Sequence, residues 1–481
     1  MLTIHGRPQR VCSGLSRRSL LQAGGAGLLG VNLSRVLAAE QLATAFTGGR
    51  AKSVLFLYLF GGPSQLETWD MKPDAPVGLR GPFLPIASRT PDLRICELMP
   101  RSAMLSDKFC VIRSMTHGEN DHNAAHYIQT GHKWTRKAEN GQDVNARPTD
   151  WPSMGSVVEY LSAHERDAHR RTFPDYVYLP NRLGHLQTPK YDRTGQYAGW
   201  LGNTYNALAT DVRPEKPRDN MFLRDCTDKE LDFRIKGLAD PTEMPLSRLD
   251  RRRSLIEQFD DASREQDEAR PWEGYDPIRD QALNLVTSEK IRTALDIRQE
   301  PAAQRDRYGR HLYGQSLLMG RRMIEAGARF VTVAWDSPAG TDGWDSHNSS
   351  THLEKWLIPG FDQAYSALLE DLDQRGLLAE TLVVALGEMG RTPTPSAGWG
   401  RGHWSYCFPA LLAGAGIRGG ITYGRSDADA AWPAERPVSP EDLACTIYTA
   451  LGLDPQMVLP DRLGREFTIV DGGRPLLDLF S

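Results

Sequence analysis

The chain has 481 residues, with 57 Lys and Arg against 61 Asp and Glu, a formal charge of −4 and a pI near 6.3. That balance leaves no basic footprint, so nucleic acid is excluded as an expected partner. The length suits one large domain with insertions, or a domain with a subdomain, and is ample for a sizeable core.

The amino terminus reads as an export signal. Ser16-Arg17-Arg18-Ser19-Leu20-Leu21 places paired arginines before a Gly- and Ala-rich apolar run from Leu21 to Leu33, and Val36-Leu37-Ala38-Ala39 offers small residues for cleavage. A positive start, a short apolar run and a small-residue site make a signal peptide. The arginine pair points to the twin-arginine route. The apolar run falls short of the roughly 20 residues a membrane span needs. A signal peptide over 1–39 is therefore expected, with the twin-arginine export machinery as a partner. The mature form should have no stable transmembrane helix and should reside in the periplasm or cell envelope.

Past the signal, Cys96, Cys110, Cys226, Cys407 and Cys445 are odd in number and lack metal-type pairing, so no disulfide framework is expected. The mature domain opens with Lys52-Ser53-Val54-Leu55-Phe56-Leu57-Tyr58-Leu59-Phe60, a strand buried on both faces. It empties into Gly61-Gly62-Pro63-Ser64-Gln65, followed by Glu67 and Asp70. Ser64 suits a helix cap or a nucleophile, the cap being the commoner role.

A second such strand, Phe109 to Met115, leads into Thr116-His117-Gly118-Glu119-Asn120-Asp121-His122-Asn123-Ala124-Ala125-His126. His122 and His126 are four apart, so on a helix both face one way, with Asn120 or Asp121 as its cap. From about 135 to 310 the pattern loosens into an insertion read as a cap beside the site. It includes an amphipathic helix from Trp151 to Glu165 and an edge strand at Asp175 to Pro180. Regularity returns with a helix from Gly314 to a Gly327 C-cap, a strand from Arg329 to Trp335, and a helix from Trp356 to Arg375. The strand Thr381 to Leu386 follows and ends in Gly387-Glu388-Met389-Gly390-Arg391-Thr392-Pro393. Helix and strand alternating through short links indicate a parallel, doubly wound sheet. A further strand, Phe408 to Gly414, and a helix opening at Ser439-Pro440 complete the chain.

Polar groups gather after the late strands: Asp345, His347, Glu388 and His403. A mixed carboxylate and imidazole set suits zinc or manganese better than calcium. A divalent metal there would polarise an ester oxygen and lower the pKa of a bound water or nucleophile. Arg391, three residues after Glu388, is suited to clamp a tetrahedral oxyanion through its bidentate fork. His122 suits proton transfer near neutral pH, and Asp121 beside it suits metal binding or orientation of an attacking water. The same residues also suit a structural ion-pair network.

The arginine leader, Gly61 to Ser64, His122 to Gly131, Tyr308-Gly309 with Gly314-Gln315, Trp344-Asp345-Ser346-His347, Gly387 to Pro393 and Gly400-Arg401-Gly402-His403-Trp404 together resemble domain of unknown function family 1501. Its members are exported, sulfatase-like proteins of the alkaline phosphatase superfamily, and the likeness spans nearly the whole mature chain. It implies an α/β fold over residues 50–481, an alkaline-phosphatase-like three-layer αβα sandwich with a mainly parallel central sheet. It also implies one or two metals at strand ends and cleavage of phosphate or sulfate esters, on a small molecule or a polysaccharide. By offset from Thr130-Gly131, the resemblance puts Asp121 in the place of the sulfatases' aldehyde nucleophile. The chain departs from the pattern at Gly402, Gln65 and Glu67, lacks the Cys-x-Pro-x-Arg motif of sulfatases, and has Gly61-Gly62 where a first-strand aspartate is expected. Two functions stay open: a metal-dependent ester hydrolase, and a non-catalytic metal- or glycan-binding protein of the cell envelope.

Overall fold

Seven consecutive buried side chains, Ser53–Leu59, make the first strand a centre strand. In the computed structural model, which describes residues 51–134, 144–165, 173–184, 192–216, 219–233, 235, 289–337 and 343–481, that strand (β1) lies inside an eight-stranded sheet. The expected export signal lies outside the described residues. The other sheet strands are β2 (Phe109–Met115), β3 (Tyr176–Leu179), β4 (Leu208–Ala209), β5 (Phe330–Trp335), β6 (Thr381–Leu386), β9 (Phe408–Ala413) and β10 (Ile421–Tyr423). Two short strands, β7 (Gly390–Arg391) and β8 (His403–Trp404), form a separate antiparallel ribbon.

The spatial order is β10-β2-β9-β6-β1-β5-β3-β4. β1 pairs in parallel with β5 on one side and β6 on the other. β9 runs antiparallel to both β6 and β2, and this restores β2 to the direction of β1. The sheet is thus mixed but mainly parallel, as expected, and the loops after β1, β2, β5 and β6 emerge at one end. The expected both-parallel setting of β6 is corrected on one side, because its neighbour there is the reversed β9.

Strand alternation divides the core into two layers. Leu55, Leu57 and Leu59 pack with Val331, Val333 and Trp335 against the helices Leu312–Ala326 and Ile358–Gln374. Val54, Phe56 and Tyr58 face the opposite layer, which holds Val157, Val158, Leu443 and Ile447 from the helices Met154–Ala163 and Pro440–Ala450. Parallel sheets need both faces covered in this way. The helix ends are set locally: Gly327 takes a left-handed C-cap at φ 113°, and Ser439 with Asp442 forms a full capping box. The 135–310 segment, among its described parts, supplies β3 and β4 to the sheet itself. Among the described residues, all five cysteines are buried and free. Among the described residues no helix is long and apolar enough to cross a membrane.

Burial also sets an acid limit. His117, His132 and His311 are buried, and loss of solvation pushes each imidazole down to about 4 from an ordinary 6.5. Between those values the unfolded chain binds protons that the folded chain refuses. The contribution of these three rings to stability is therefore complete above about pH 6.5 and falls as the pH drops toward 4, each ring removing roughly 1.4 kcal/mol for every pH step of one across that window. Denaturant midpoints measured from pH 7 to pH 4.5 should fall steadily, and a His311→Asn variant should show a shallower fall. A midpoint that rises on acidification would contradict this reading.

Candidate metal centre

Two adjacent glycines let the site's loops meet. Gly61 and Gly62 follow β1 at φ 106° and 80°. A Cβ on Gly61 would stand 2.5 Å from Asp345 N, and one on Gly62 would strike Met389 O. The aspartate that the family resemblance leads one to expect after the first strand has no room, because two other loops occupy that space. Glu388, buried at the end of β6, uses the close approach. Its Oε1 accepts from Gly61 N at 2.9 Å, and its Oε2 from Tyr58 Oη at 3.3 Å.

His122 stands next to it. Nδ1 lies 2.8 Å from Glu388 Oε1, and Nε2 lies 3.1 Å from Asp345 Oδ2. Burial opposes charge on this ring, but the two carboxylates outweigh it and raise its pKa to about 9. An imidazole with a carboxylate at each nitrogen donates from both, so the ring is an imidazolium at neutral pH.

Asp345 is the hub. His347 Nε2 lies 2.9 Å and His403 Nε2 3.2 Å from its Oδ1, and the two imidazole nitrogens are 3.1 Å apart. Burial would raise the Asp345 pKa, but the bonds with His122 and His403 and the Arg391 charge hold it well below the usual carboxylate range. Burial, with nearby cations, also lowers the His347 pKa despite Asp345, which favours the neutral ring. The Nδ1 of His403 lies 3.3 Å from Asn120 O. A carbonyl oxygen only accepts, so Nδ1 carries a proton; Nε2 then meets Asp345 as a donor in the imidazolium and as a lone pair in the neutral ring that metal binding requires. Three lone-pair atoms 2.9–3.2 Å apart repel unless a cation or a proton lies among them. Their spacing approaches the ligand edges around a zinc-sized ion. His122 Nε2 also lies close, within 4.8 Å of the ligand atoms of Asp345 and His403, but would join them as a ligand only after losing its proton.

The sequence candidates divide as follows. Asp345, His347 and His403 converge. Glu388 stands one imidazole behind them, joined through His122. Arg391 is fully buried with its donors committed inside the protein: Nε to Gly62 O at 3.0 Å, Nη1 to Arg401 O at 3.3 Å, and Nη2 to Gly61 O and to Asp345 Oδ1 at 2.5 Å. It grips a carboxylate and three carbonyls, leaving no fork for an oxyanion. Asp121 accepts from Asn123 N at 2.7 Å, and no hydrogen bond joins it to the cluster. The expected shared helical face of His122 and His126 is corrected. The helix begins only at Ala124, so His122 belongs to the preceding turn, while His126 is buried against Trp134 with ring centroids 4.8 Å apart. Ser64 precedes a 3₁₀ turn but makes no side-chain cap.

Gln65 and Glu67, where the resemblance led one to expect other residues, hold the site's backbone. Gln65 donates to Arg391 O at 2.8 Å and accepts from Arg391 N at 2.9 Å. Glu67 Oε1 takes Arg401 Nε and Nη2 at 2.8 and 2.6 Å, with both residues 1 % exposed. Sequence reasoning missed Tyr58, Asp336 and Arg193. Asp336 follows β5 directly, which was its available signal. Its oxygens accept from Gly184 N and Ser337 N at 2.7 and 2.8 Å, and burial raises its pKa against the pull of Arg193. Arg193 lies 4.3 Å over the Phe60 ring, which in turn packs 5.0 Å from His122. It comes from an irregular loop with no motif to mark it.

The family described as protein of unknown function (DUF1501) matches residues 51–480. The chain belongs to that family. Among curated proteins none matches it. Solved structures similar to this DUF1501 protein include Ps i-CgsB, at 10 % identity and a TM-score of 0.39 over 84 % of this chain and 72 % of that one. The PsFucS1 sulfatase from Pseudoalteromonas sp. is similar at 12 % identity and a TM-score of 0.36, over 86 % and 70 %. The phosphonate monoester hydrolase SpPMH from Silicibacter pomeroyi is similar at 12 % and 0.34, over 88 % and 75 %. At these scores the likenesses assign neither activity nor residues to the DUF1501 chain.

Proposed function

We propose that this protein is an exported, metal-dependent hydrolase of phosphate or sulfate esters, with zinc or manganese held by Asp345, His347 and His403. The observation that carries the reading is the triangle of Asp345 Oδ1, His347 Nε2 and His403 Nε2, with His403 oriented from behind by Asn120 O. Ligating histidines characteristically donate their second nitrogen to a carbonyl or carboxylate. A bound divalent ion would supply Lewis-acid polarisation of the ester and a more acidic water. The chain's own groups do the rest. Arg391 fixes the Asp345 carboxylate, Glu388 orients His122, and the His122 Nε2 proton faces the cluster where a leaving oxygen would need one. The test is metal analysis of the purified mature protein together with turnover of aryl phosphate and aryl sulfate esters. Stoichiometric zinc or manganese with turnover that drops roughly 100-fold in His122→Ala is expected. Metal-free protein after reconstitution would sink the reading.

A second reading, a metal- or glycan-binding protein without turnover, is favoured by one observation. Between 114 and 123, Ser114 Oγ is bonded to Arg436 O and Asp121 to Asn123 N, so neither is presented to the cluster as a nucleophile. Metal binding without turnover of any ester would select it.

The domain arrangement belongs to the same proposal: a cleaved signal over 1–39 and a sulfatase-like domain over 50–481. Replacing Arg17 and Arg18 together with Lys should leave the uncleaved precursor in the cytoplasm, read by fractionation and amino-terminal sequencing. Normal export of that variant would show the leader to be of another type.

A further inference from the structure

The β8 strand carries His403 into the candidate centre, and its next residue, Trp404, begins a separate feature. Trp404, Tyr406 and Trp432 form a patch of three rings, with centroids 5.1 Å apart for Trp404–Tyr406, 5.5 Å for Trp404–Trp432 and 4.8 Å for Tyr406–Trp432. Trp404 is fixed by Nε1–H donation to Ala431 O at 2.6 Å. Trp432 is 50 % exposed, although burial of an indole is strongly favoured. Trp432 sits in the turn of a short ribbon whose strands pair Arg425 with Glu435, and in that turn the half-buried Asp427 donates its N–H to Trp432 O at 2.9 Å.

We propose that this patch is a carbohydrate-binding subsite, which stacks a sugar ring of a substrate whose ester reaches the centre around His403. The inference rests on the proposed hydrolase reading for the identity of that centre, but saccharide binding itself does not require it. The rings touch one another, so no gap between them could enclose a cation as an aromatic cage does. What remains for a ligand is the outer aromatic face with hydrogen-bonding groups at its edge. A pyranose is complementary to that, having an axial C–H face that packs on an aromatic ring and hydroxyls around its rim. Successive side chains of a strand leave on opposite faces, so Trp404 turns away from the cluster that His403 enters. A ligand using both must extend past the end of the strand, which a chain of sugars does and a small ester does not.

The test uses the full mature protein, with hexasaccharides of a sulfated galactan and of cellulose as probes and choline as the contrast. Binding is followed by titration calorimetry and by tryptophan fluorescence, with the protein metal-loaded and after chelation. At least one hexasaccharide should bind in both states. Trp432→Ala should weaken that binding about tenfold, the scale of one aromatic contact, while Trp432→Tyr retains most of it. Trp432→Ala should leave turnover of small aryl esters unchanged. A saccharide that binds equally well to Trp432→Ala, binding of neither hexasaccharide, or choline binding that depends on Trp432 would each overturn the proposal. If Trp432→Ala fails to fold, by circular dichroism, the Trp432→Gln and Tyr406→Leu variants carry the same comparison. Trp432-dependent saccharide binding in a protein that turns over no ester would leave the subsite standing and remove the hydrolase reading.

Discussion

Replacing Asp345 with Asn is expected to strip zinc or manganese from the mature protein and to lower ester hydrolysis by roughly 100-fold or more. Asp345 meets His122, His347, His403 and Arg391 at 3.1, 2.9, 3.2 and 2.5 Å. In the proposed centre, Asp345 is the one ligand that brings a negative charge to hold a cation, and an amide of the same shape supplies none. The Asn oxygen can still accept from Arg391, so folding should survive, and metal content is the cleaner reading. Elemental analysis after dialysis against zinc, alongside a denaturant melt, separates the two. Full metal occupancy in a folded Asp345→Asn protein would show that the ion is held elsewhere.

The second large effect concerns stability. Glu67 and Arg401 form a salt bridge in which each residue is 1 % exposed. The Arg401 guanidinium also donates to Thr392 O and Leu79 O at 2.9 and 2.8 Å and to Pro393 O. Glu67→Ala would leave that cation buried without its counter-charge, at a cost of about 3–5 kcal/mol. Because Arg401 N also donates to Ser346 O at 2.8 Å, loosening Arg401 should disturb the loop that carries Asp345 and His347. The expected result is a large fall in the denaturant midpoint together with weaker metal retention. A Glu67→Ala protein with a wild-type midpoint would mean that water or a rearranged partner satisfies Arg401.

What the sequence disclosed follows from which signals are local. The strands at 53–59, 109–115 and 381–386 were legible because burial on both faces leaves unbroken apolar runs, and the helix caps because they depend on a few adjacent residues. The reversal of Phe408–Ala413 was not legible, since an apolar run reads the same in either direction. The gathering of Asp345, His347 and His403 followed from their positions after strands that share one sheet end. The structural duty of Arg391 did not, because its partners Gly61 and Gly62 lie 330 and 329 residues away. His122 and His126 show the limit of spacing arguments. Four residues apart implies a shared face only if the helix has already begun, and here the turn around Asp121 delays its start to Ala124.

The position of β1 has a bearing on how the protein is made. It is the first strand of the sheet to leave the ribosome, yet its neighbours are residues 330–335 and 381–386. Until those segments are synthesised, a seven-residue apolar ribbon has neither flank to pair with, and such exposed edges invite aggregation. Closing contacts across some 275 to 330 positions is slow, because chain entropy is lost before any pairing is gained. A nascent chain stalled before residue 380 would lack one side of its central strand. Pairing of the central strand therefore waits for segments made hundreds of residues later, and that interval is the period in which a chaperone would have most to protect.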